Sequence, residues 1–387
     1  MAEAYIVDAV RTAGGRRNGR LSGIHPAKLG AMPLDALVRR TGIDPAAIED
    51  VIMGCVTQAG EQSVNIGRHA VLESGLPVSV PSVTIDRQCG SSQQSIQFAA
   101  QAVMSGTQDM VVAAGIESMS RAPLGQSLVP GSGLNPRTAE VLQRFGVERF
   151  SQFDGAEMIA RKWGFTRDQL DTFGLESHRR AAAATRAGAF EREIVPVEIV
   201  LPDGSREVHT RDEGIRYDAT ADTMAGVKLL AEGGVITAAT SSQICDGASA
   251  ALIVSAQALK DHGLTPLARI VNMTLTAGDP VVMLEEPLFA TERALKRAGM
   301  RIEDIDLYEV NEAFAPVPMA WLAHHHADPE RLNVNGGAIA LGHPLGATGV
   351  KLMATLINAL AARGKRYGLQ TMCEGGGLAN VTIIERL

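Results

Sequence analysis

The chain has 387 residues, of which 45% are apolar and 20% charged, with a net charge of −7; that length suits two or three domain-sized units around large cores. The charge is spread without a basic block and only 4% of residues are aromatic, which argues against a nucleic-acid binder, since that would need a basic stripe and stacking rings. Glycine, at 40 residues, exceeds its usual share of roughly 7% and predicts many tight strand-to-helix turns.

At the N-terminus, Met1–Asp8 has no basic region followed by an apolar stretch, so no signal peptide is expected. No apolar run approaches the ~18 residues needed to cross a bilayer, so no membrane span is expected either. The closing Glu385-Arg386-Leu387 is not a peroxisomal address. Cys55, Cys89, Cys245 and Cys373 lie far apart with no Cys-x-x-Cys pair, and they read as reduced thiols of a cytoplasmic protein. Arg16, Arg17 and Arg20 read as plain surface.

One structural unit recurs. In the first copy, Gly42-Ile43-Asp44-Pro45 through Met53 reads as a helix running into a strand. A buried strand is predicted over Val80–Ile85, then a loop bearing Cys89. Next comes a helix over Ser91–Ser105, with Ile96, Ala99, Ala100, Val103 and Met104 at helical spacing. A strand at Met110–Gly115 closes the copy. From about Glu117 to Ile236 the texture turns charged, with residues such as Arg144, Glu148, Arg161 and Arg180, and reads as an inserted loop-and-helix domain. The second copy runs from Gly299 through Leu307, a strand near Leu332–Asn335, a glycine-rich loop bearing His343, a helix over Gly349–Ala362 and a strand at Tyr367–Cys373. Cys89 and His343 fall 47 and 44 residues past Gly42 and Gly299, on equivalent loops. Apolar strands alternating with amphipathic helices predict parallel-type sheets covered on both faces.

Three segments carry chemistry: Asp86-Arg87-Gln88-Cys89-Gly90-Ser91-Ser92, Asn335 through Gly349, and Met372-Cys373-Glu374-Gly375-Gly376-Gly377. A free cysteine is most often a small core hydrophobe. At the first turn of a helix, however, Cys89 would face unpaired N–H groups that lower its pKa from ~8.5. His343, on the matching loop, is the residue type that activates such a thiol. Cys373 reads either as a strand-end filler or as a second thiol that shuttles protons, with the Gly375 N–H as an oxyanion donor. Asn311 reads as a helix N-cap or as a partner for a developing oxyanion. Glu312 reads as a cap or as the group that orients His343. His324-His325-His326 is not expected to hold a metal, because consecutive helix residues diverge by about 100°. The Gly342–Gly349 loop is neither a dinucleotide fingerprint nor a Walker loop.

These segments, with Asn311-Glu312-Ala313-Phe314 and the opening Arg11-Thr12, resemble the thiolases, the acetyl-CoA acyltransferases, over essentially the whole chain. The resemblance implies an α/β fold of five layers, α-β-α-β-α, duplicated and carrying an inserted loop domain. It divides the chain into residues 1–116, 117–240 and 241–387. It implies Cys89 as the acylated nucleophile, His343 as its base and Cys373 as the acid/base for the second substrate. Asn311, through a water, and His343 would bind one thioester oxygen, and the backbones of Cys89 and Gly375 the other. Arg216, Thr223 and Ser242 would contact coenzyme A, and Ser151-Gln152 stands where biosynthetic members carry a His-Met pair. The implied reaction is ping-pong thiolysis of 3-ketoacyl-CoA in fatty-acid or steroid side-chain oxidation, in a homodimer or homotetramer. Coenzyme A is then a substrate, with no further cofactor, no metal, and neither nucleic acid nor membrane as partner. Short-chain acetoacetyl-CoA synthesis, a synthase-type condensing enzyme and a catalytically silent acyl-CoA binder are the alternatives. Gln243 in place of a glycine and Glu374 in place of an aliphatic residue depart from the family pattern.

Overall fold

The computed structural model of the protein describes residues 2–128, 135–201 and 203–387. The first half contributes β1 (Ala4–Thr12), α1 (Pro26–Thr41), β2 (Asp50–Gly54), α2 (Ile66–Glu73), β3 (Ser82–Ile85), α3 (Ser91–Met104) and β4 (Met110–Ser118). The insertion holds α4 (Ala139–Phe145), α5 (Gln152–Trp163) and α6 (Arg167–Arg186). After it come β5 (Cys245–Ser255), β6 (Ala268–Ala277), α7 (Glu286–Ala298), β7 (Leu307–Val310) and α8 (Pro316–His325). The chain closes with α9 (Thr348–Ala362), β8 (Tyr367–Glu374) and β9 (Leu378–Arg386).

The repeat is visible in the strand order. One half runs β3-β2-β4-β5-β1 and the other β7-β8-β9-β6, with β1 and β6 abutting. The pairs β2–β4 and β7–β8 are parallel, and β4–β5 and β8–β9 antiparallel. Gly42 after α1 and Gly299 after α7 both take the left-handed conformation, with φ of 69° and 65°, that lets a helix stop and turn back to its sheet. The expected helix before β2 is a single 3-10 turn, Pro45–Ala47.

The strand expected near Leu332–Asn335 does not form; only a bridge from Leu332 to Tyr308 stands in the place of β3. Asn333 turns away at φ 43°. Its side-chain amide then takes over the pairing, accepting from Val310 N at 3.0 Å and donating to Val310 O at 2.9 Å. The division at residue 241 is also redrawn by topology. The strand β5, which that division gives to the C-terminal half, pairs on both edges with first-half strands, β4 and β1.

Three packed clusters account for five layers. Outside the first sheet, Leu29, Leu34 and Leu37 of α1 and Ile66 and Val71 of α2 meet Val51, Met53, Val112 and Leu252. Outside the second sheet, Leu288 of α7 and Val317 and Trp321 of α8 meet Tyr308, Leu369 and Val381. Between the sheets, Ile96 and Val103 of α3 and Met353, Leu356 and Leu360 of α9 share one core with strands of both halves. Sandwiched there, α3 carries apolar residues toward its own sheet, while Gln93 and Gln97 donate across to Gln370 O and Val381 O. The stretch Leu345–Ala362 does reach 18 residues at a mean hydropathy of 1.4, long and apolar enough to cross a membrane, contrary to the sequence reading. It is 83% buried, and being enclosed by two sheets accounts for its apolar surface.

Candidate active site

The Cys89 loop is a strained, internally clamped turn. Gln88, just before the thiol, takes φ 50°, a conformation a non-glycine residue holds only when its surroundings impose it. Here Asp86 Oδ1 accepts from Gln88 N at 2.6 Å. Ser91 Oγ donates to Gln88 O at 2.6 Å and accepts from Arg87 N at 2.9 Å. The helix itself starts at Ser91 with Gly90 as its N-cap, so Cys89 stands one residue ahead of the cap. The expected lowering of its pKa is overturned: burial first, then the Glu374 carboxyl, pushes the thiol up to about 12. Desolvation of the charged form outweighs the helix terminus. The residue itself is only half-buried.

The His343 loop meets the Cys89 loop through the two central helices. Gly349 approaches Gln93 so closely that a Cβ would lie 2.0 Å from Gln93 N, and Val350 N donates to Ser92 Oγ at 3.0 Å. Glu117 fastens the loop from below, accepting from Gly346 N at 2.8 Å and from Val56 N at 2.9 Å. His343 Nδ1 lies 2.7 Å from Thr348 Oγ, which lies 2.8 Å from Pro344 O. A carbonyl can only accept, so the single hydroxyl proton belongs to Pro344 O and Nδ1 must carry the ring proton. That leaves Nε2 as an acceptor, facing Asn311 Nδ2 at 3.4 Å. Burial, and secondarily the charge of Lys351, pushes His343 down to about 3, so the ring is neutral. Lys351 Nζ donates to Leu341 O and Gly342 O just ahead of the histidine, at 2.6 and 3.0 Å. It belongs to a buried set in which Arg11 bridges Glu193 and Asp212 at 2.7 and 2.8 Å.

Glu312 does not orient His343. Its carboxylate accepts from Ser177 Oγ, Asn333 Nδ2 and Ile339 N at 2.6, 2.9 and 3.1 Å. Thr348 does the orienting instead, a role that its sequence context, two residues of an apolar helix start, did not signal. Asn311 caps no helix, since α8 begins at Pro316. Its backbone N donates to Thr371 O at 3.0 Å, which sets it beside β8 two residues before Cys373. Gln243, the other departure, donates through Nε2 to Gly214 O and Ile339 O and accepts from His343 N at 3.0 Å, holding the histidine loop to the insertion.

Cys373 is fully buried; burial, and then the nearby Cys89, raises its pKa, so the two thiols lie within electrostatic reach of each other. Gly375 packs on Gln88, whose Oε1 would lie 2.7 Å from a Cβ there. Asn380 Nδ2 donates to Gly90 O at 3.1 Å and pins the end of the β8–β9 pair to the Cys89 loop. Arg216 and Thr223 line one cavity of about 450 Å³ with His178, Met224, Ala239 and Gln243. His178, which the sequence reading missed, accepts from Arg216 N at 3.1 Å. Ser242 is not among the residues that line it; its backbone N donates to Ala313 O at 2.9 Å, next to the lining Gln243. Gln152 lies elsewhere, in a cavity of about 600 Å³ with Phe150, Phe153, Glu157, Leu230 and Ile236. In the histidine run, His324 bonds Glu292, His325 packs on Trp321 and His326 ends the helix. Among the described residues no cluster of three or more His, Cys, Asp or Glu is arranged to hold a metal.

Comparison with known proteins matches residues 4–257 to the thiolase N-terminal domain and residues 264–386 to the thiolase C-terminal domain. The chain is 55% identical to the steroid 3-ketoacyl-CoA thiolase FadA6 of Mycobacterium tuberculosis, covering 100% of this chain and 95% of that protein. It is 43% identical to a 3-ketoacyl-CoA thiolase of Psychrobacter cryohalolentis, covering 100% and 98%. A crystal structure of the Bacillus anthracis acetyl-CoA acetyltransferase superposes with a TM-score of 0.91 at 34% identity, over 100% of this chain and 99% of that one.

Proposed function

The chain belongs to the thiolase family of acyltransferases, and from that premise we propose that it cleaves 3-ketoacyl-CoA through an acyl-enzyme on Cys89. His343 Nε2 takes the thiol proton as Sγ attacks the 3-keto carbon. Once protonated, the same Nε2–H and, through a water, Asn311 donate to one thioester oxygen, and the backbones of Cys89 and Gly375 serve the other. The C2–C3 bond breaks, and Cys373 protonates C2 of the departing acetyl-CoA enolate. The Cys373 thiolate then takes the proton of an incoming CoA thiol, which attacks the thioester and releases Cys89, reprotonated by His343. No metal or redox group is used in this sequence.

The observation that carries this reading is the histidine tautomer. A thiol near 12 and an imidazole near 3 do not form a resting ion pair, so the base has to offer a free lone pair, and the Thr348 bridge leaves Nε2 in that state. We place coenzyme A along Arg216, Thr223 and Ser242. The acyl group goes toward Gln152, where Phe150, Phe153, Leu230 and Ile236 make a cavity suited to a chain larger than acetyl. A degradative substrate, with a steroid side chain as one member, fits that size and the name of the 55%-identical relative. We further propose a homo-oligomer built on the free edge of β3, beside which Val64, Val78 and Val83 are 81%, 75% and 44% exposed. All four cysteines are free thiols, in keeping with the reducing cytoplasm proposed for it.

Intact-mass spectrometry tests the nucleophile. After incubation with acetoacetyl-CoA the wild type should carry an acyl adduct and Cys89→Ser should carry none, because a hydroxyl is a far weaker nucleophile here. An adduct of equal yield on the variant would move the nucleophile to another residue.

A further inference from the structure

The mechanism leaves one buried titratable group beside the thiols unused. Glu374 ends β8, is fully buried, and neither of its carboxyl oxygens has a hydrogen-bond partner among the described residues. The carboxyl lies directly over Gly90, the residue after the nucleophile: a Cβ on Gly90 would sit 1.9 Å from Glu374 Oε1. Gly90 has an ordinary φ of −86°, so room for this carboxyl, and not backbone freedom, is what glycine supplies there.

A dry carboxyl without donors disfavours its ionised form, and burial raises Glu374 well above the usual carboxylate range. The charged and titratable groups around it are Arg87 and Asp86 from the Cys89 loop, Cys89 itself, and Cys373 on its own strand; Arg87 favours ionisation and Asp86 opposes it. Glu117 and Asp86 add to the negative field at Cys89. Three acidic protons therefore share one poorly solvated volume, where each further negative charge costs more than the one before.

We propose that Glu374 is a positioning residue that competes with Cys89 and Cys373 for the single negative charge this corner holds: the thiols react while Glu374 is the neutral acid and are silenced when it ionises. The proposal rests on the reading of Cys89 as nucleophile and Cys373 as second acid/base. The gating step moves one proton, from the carboxyl to solvent, and makes or breaks no other bond.

The test is the pH dependence of Cys89 alkylation by iodoacetamide, followed by intact mass and peptide mapping, in the wild type, Glu374→Gln and Glu374→Met. Both variants remove the competing charge while keeping most of the volume. Their alkylation midpoint should fall by a unit or more, which is about tenfold faster alkylation at a fixed pH below both midpoints. A packing role alone would change stability and leave the midpoint in place. Superimposable profiles, or a midpoint that rises, would overturn the proposal; if Glu374→Gln does not fold, Glu374→Met reads the same midpoint. Acylation of the wild type by acetoacetyl-CoA is measured alongside. Without an adduct on Cys89 the catalytic reading itself fails, whereas an adduct with an unmoved midpoint rejects only the role of Glu374.

Discussion

Replacing Thr348 by valine deletes the hydroxyl that fixes the His343 tautomer and changes side-chain volume little. In the wild type that hydroxyl gives its proton to Pro344 O at 2.8 Å and receives the Nδ1 proton over 2.7 Å. The imidazole is 3% exposed, so water cannot take over the role. In Thr348→Val the ring then has two courses. It keeps Nδ1–H without a partner, at a cost of about 1–3 kcal/mol, or it moves the proton to Nε2 and loses its function as a base. At 1.36 kcal/mol per factor of ten, that cost set against the other tautomer makes the competent ring roughly 5- to 160-fold scarcer and slows acylation by the same factor. Rapid-quench single-turnover formation of the acyl-enzyme measures the rate, and ¹⁵N NMR of the labelled imidazole reads which nitrogen is protonated. Thr348→Ser restores the hydroxyl and should recover most of the rate. Wild-type acylation in the valine variant, with Nδ1 still protonated, would refute the reasoning, because the tautomer would then be set by something other than this bridge.

Two further outcomes follow from the same geometry. In Cys373→Ala, Cys89 should still be acylated in a single turnover, but deuterium exchange of the acetyl-CoA α-protons, followed by NMR, should collapse; exchange at the wild-type rate would leave His343 to perform both proton transfers. For pH, His343 is held near 3 by burial and by Lys351, below its usual ~6.5, so the neutral base persists as pH falls and acylation should show no limb centred at 6.5. The stability contribution runs with the depressed value: below pH 6.5 the unfolded chain binds a proton that folded His343 refuses, removing about 1.4 kcal/mol per pH unit. Buried carboxyls with raised pKa, such as Glu309, oppose this loss. The acid limit of activity should therefore track loss of near-UV circular dichroism, and an acylation midpoint near 6.5 in fully folded protein would contradict the assigned burial.

What could be read ahead of the structure followed from periodicity and punctuation. Ile96, Ala99, Ala100 and Val103 repeat at helical spacing because α3 needs one apolar stripe for its own sheet, and Gly42 and Gly299 mark the matching helix ends. Two loops at similar offsets, 47 and 44 residues past Gly42 and Gly299, put Cys89 and His343 at matching places of the repeat. The residues that set the state of those two side chains were not legible, and the reason is geometric. Thr348 and Glu374 act through atoms brought to them by tertiary packing, and nothing in a run such as Gly346-Ala347-Thr348-Gly349 distinguishes a hydroxyl that faces an imidazole from one that caps a helix. Asn333 misled in the opposite direction: its neighbours have strand character, yet one side-chain amide supplies the pairing that a whole strand was expected to give. The pKa of Cys89 failed for a related reason. Position near a helix start is visible in sequence and argues for a thiolate, but the burial that decides the matter, and the Glu374 carboxyl that adds to it from nearly three hundred residues along the chain, come only with tertiary packing. The consequence for the proposed mechanism is specific. Thiols held protonated beside a histidine held neutral leave no preformed ion pair to rely on, so in that mechanism the proton moves as the substrate carbon is attacked, and the groups we propose to govern the step are Thr348 at the base and Glu374 at the thiols.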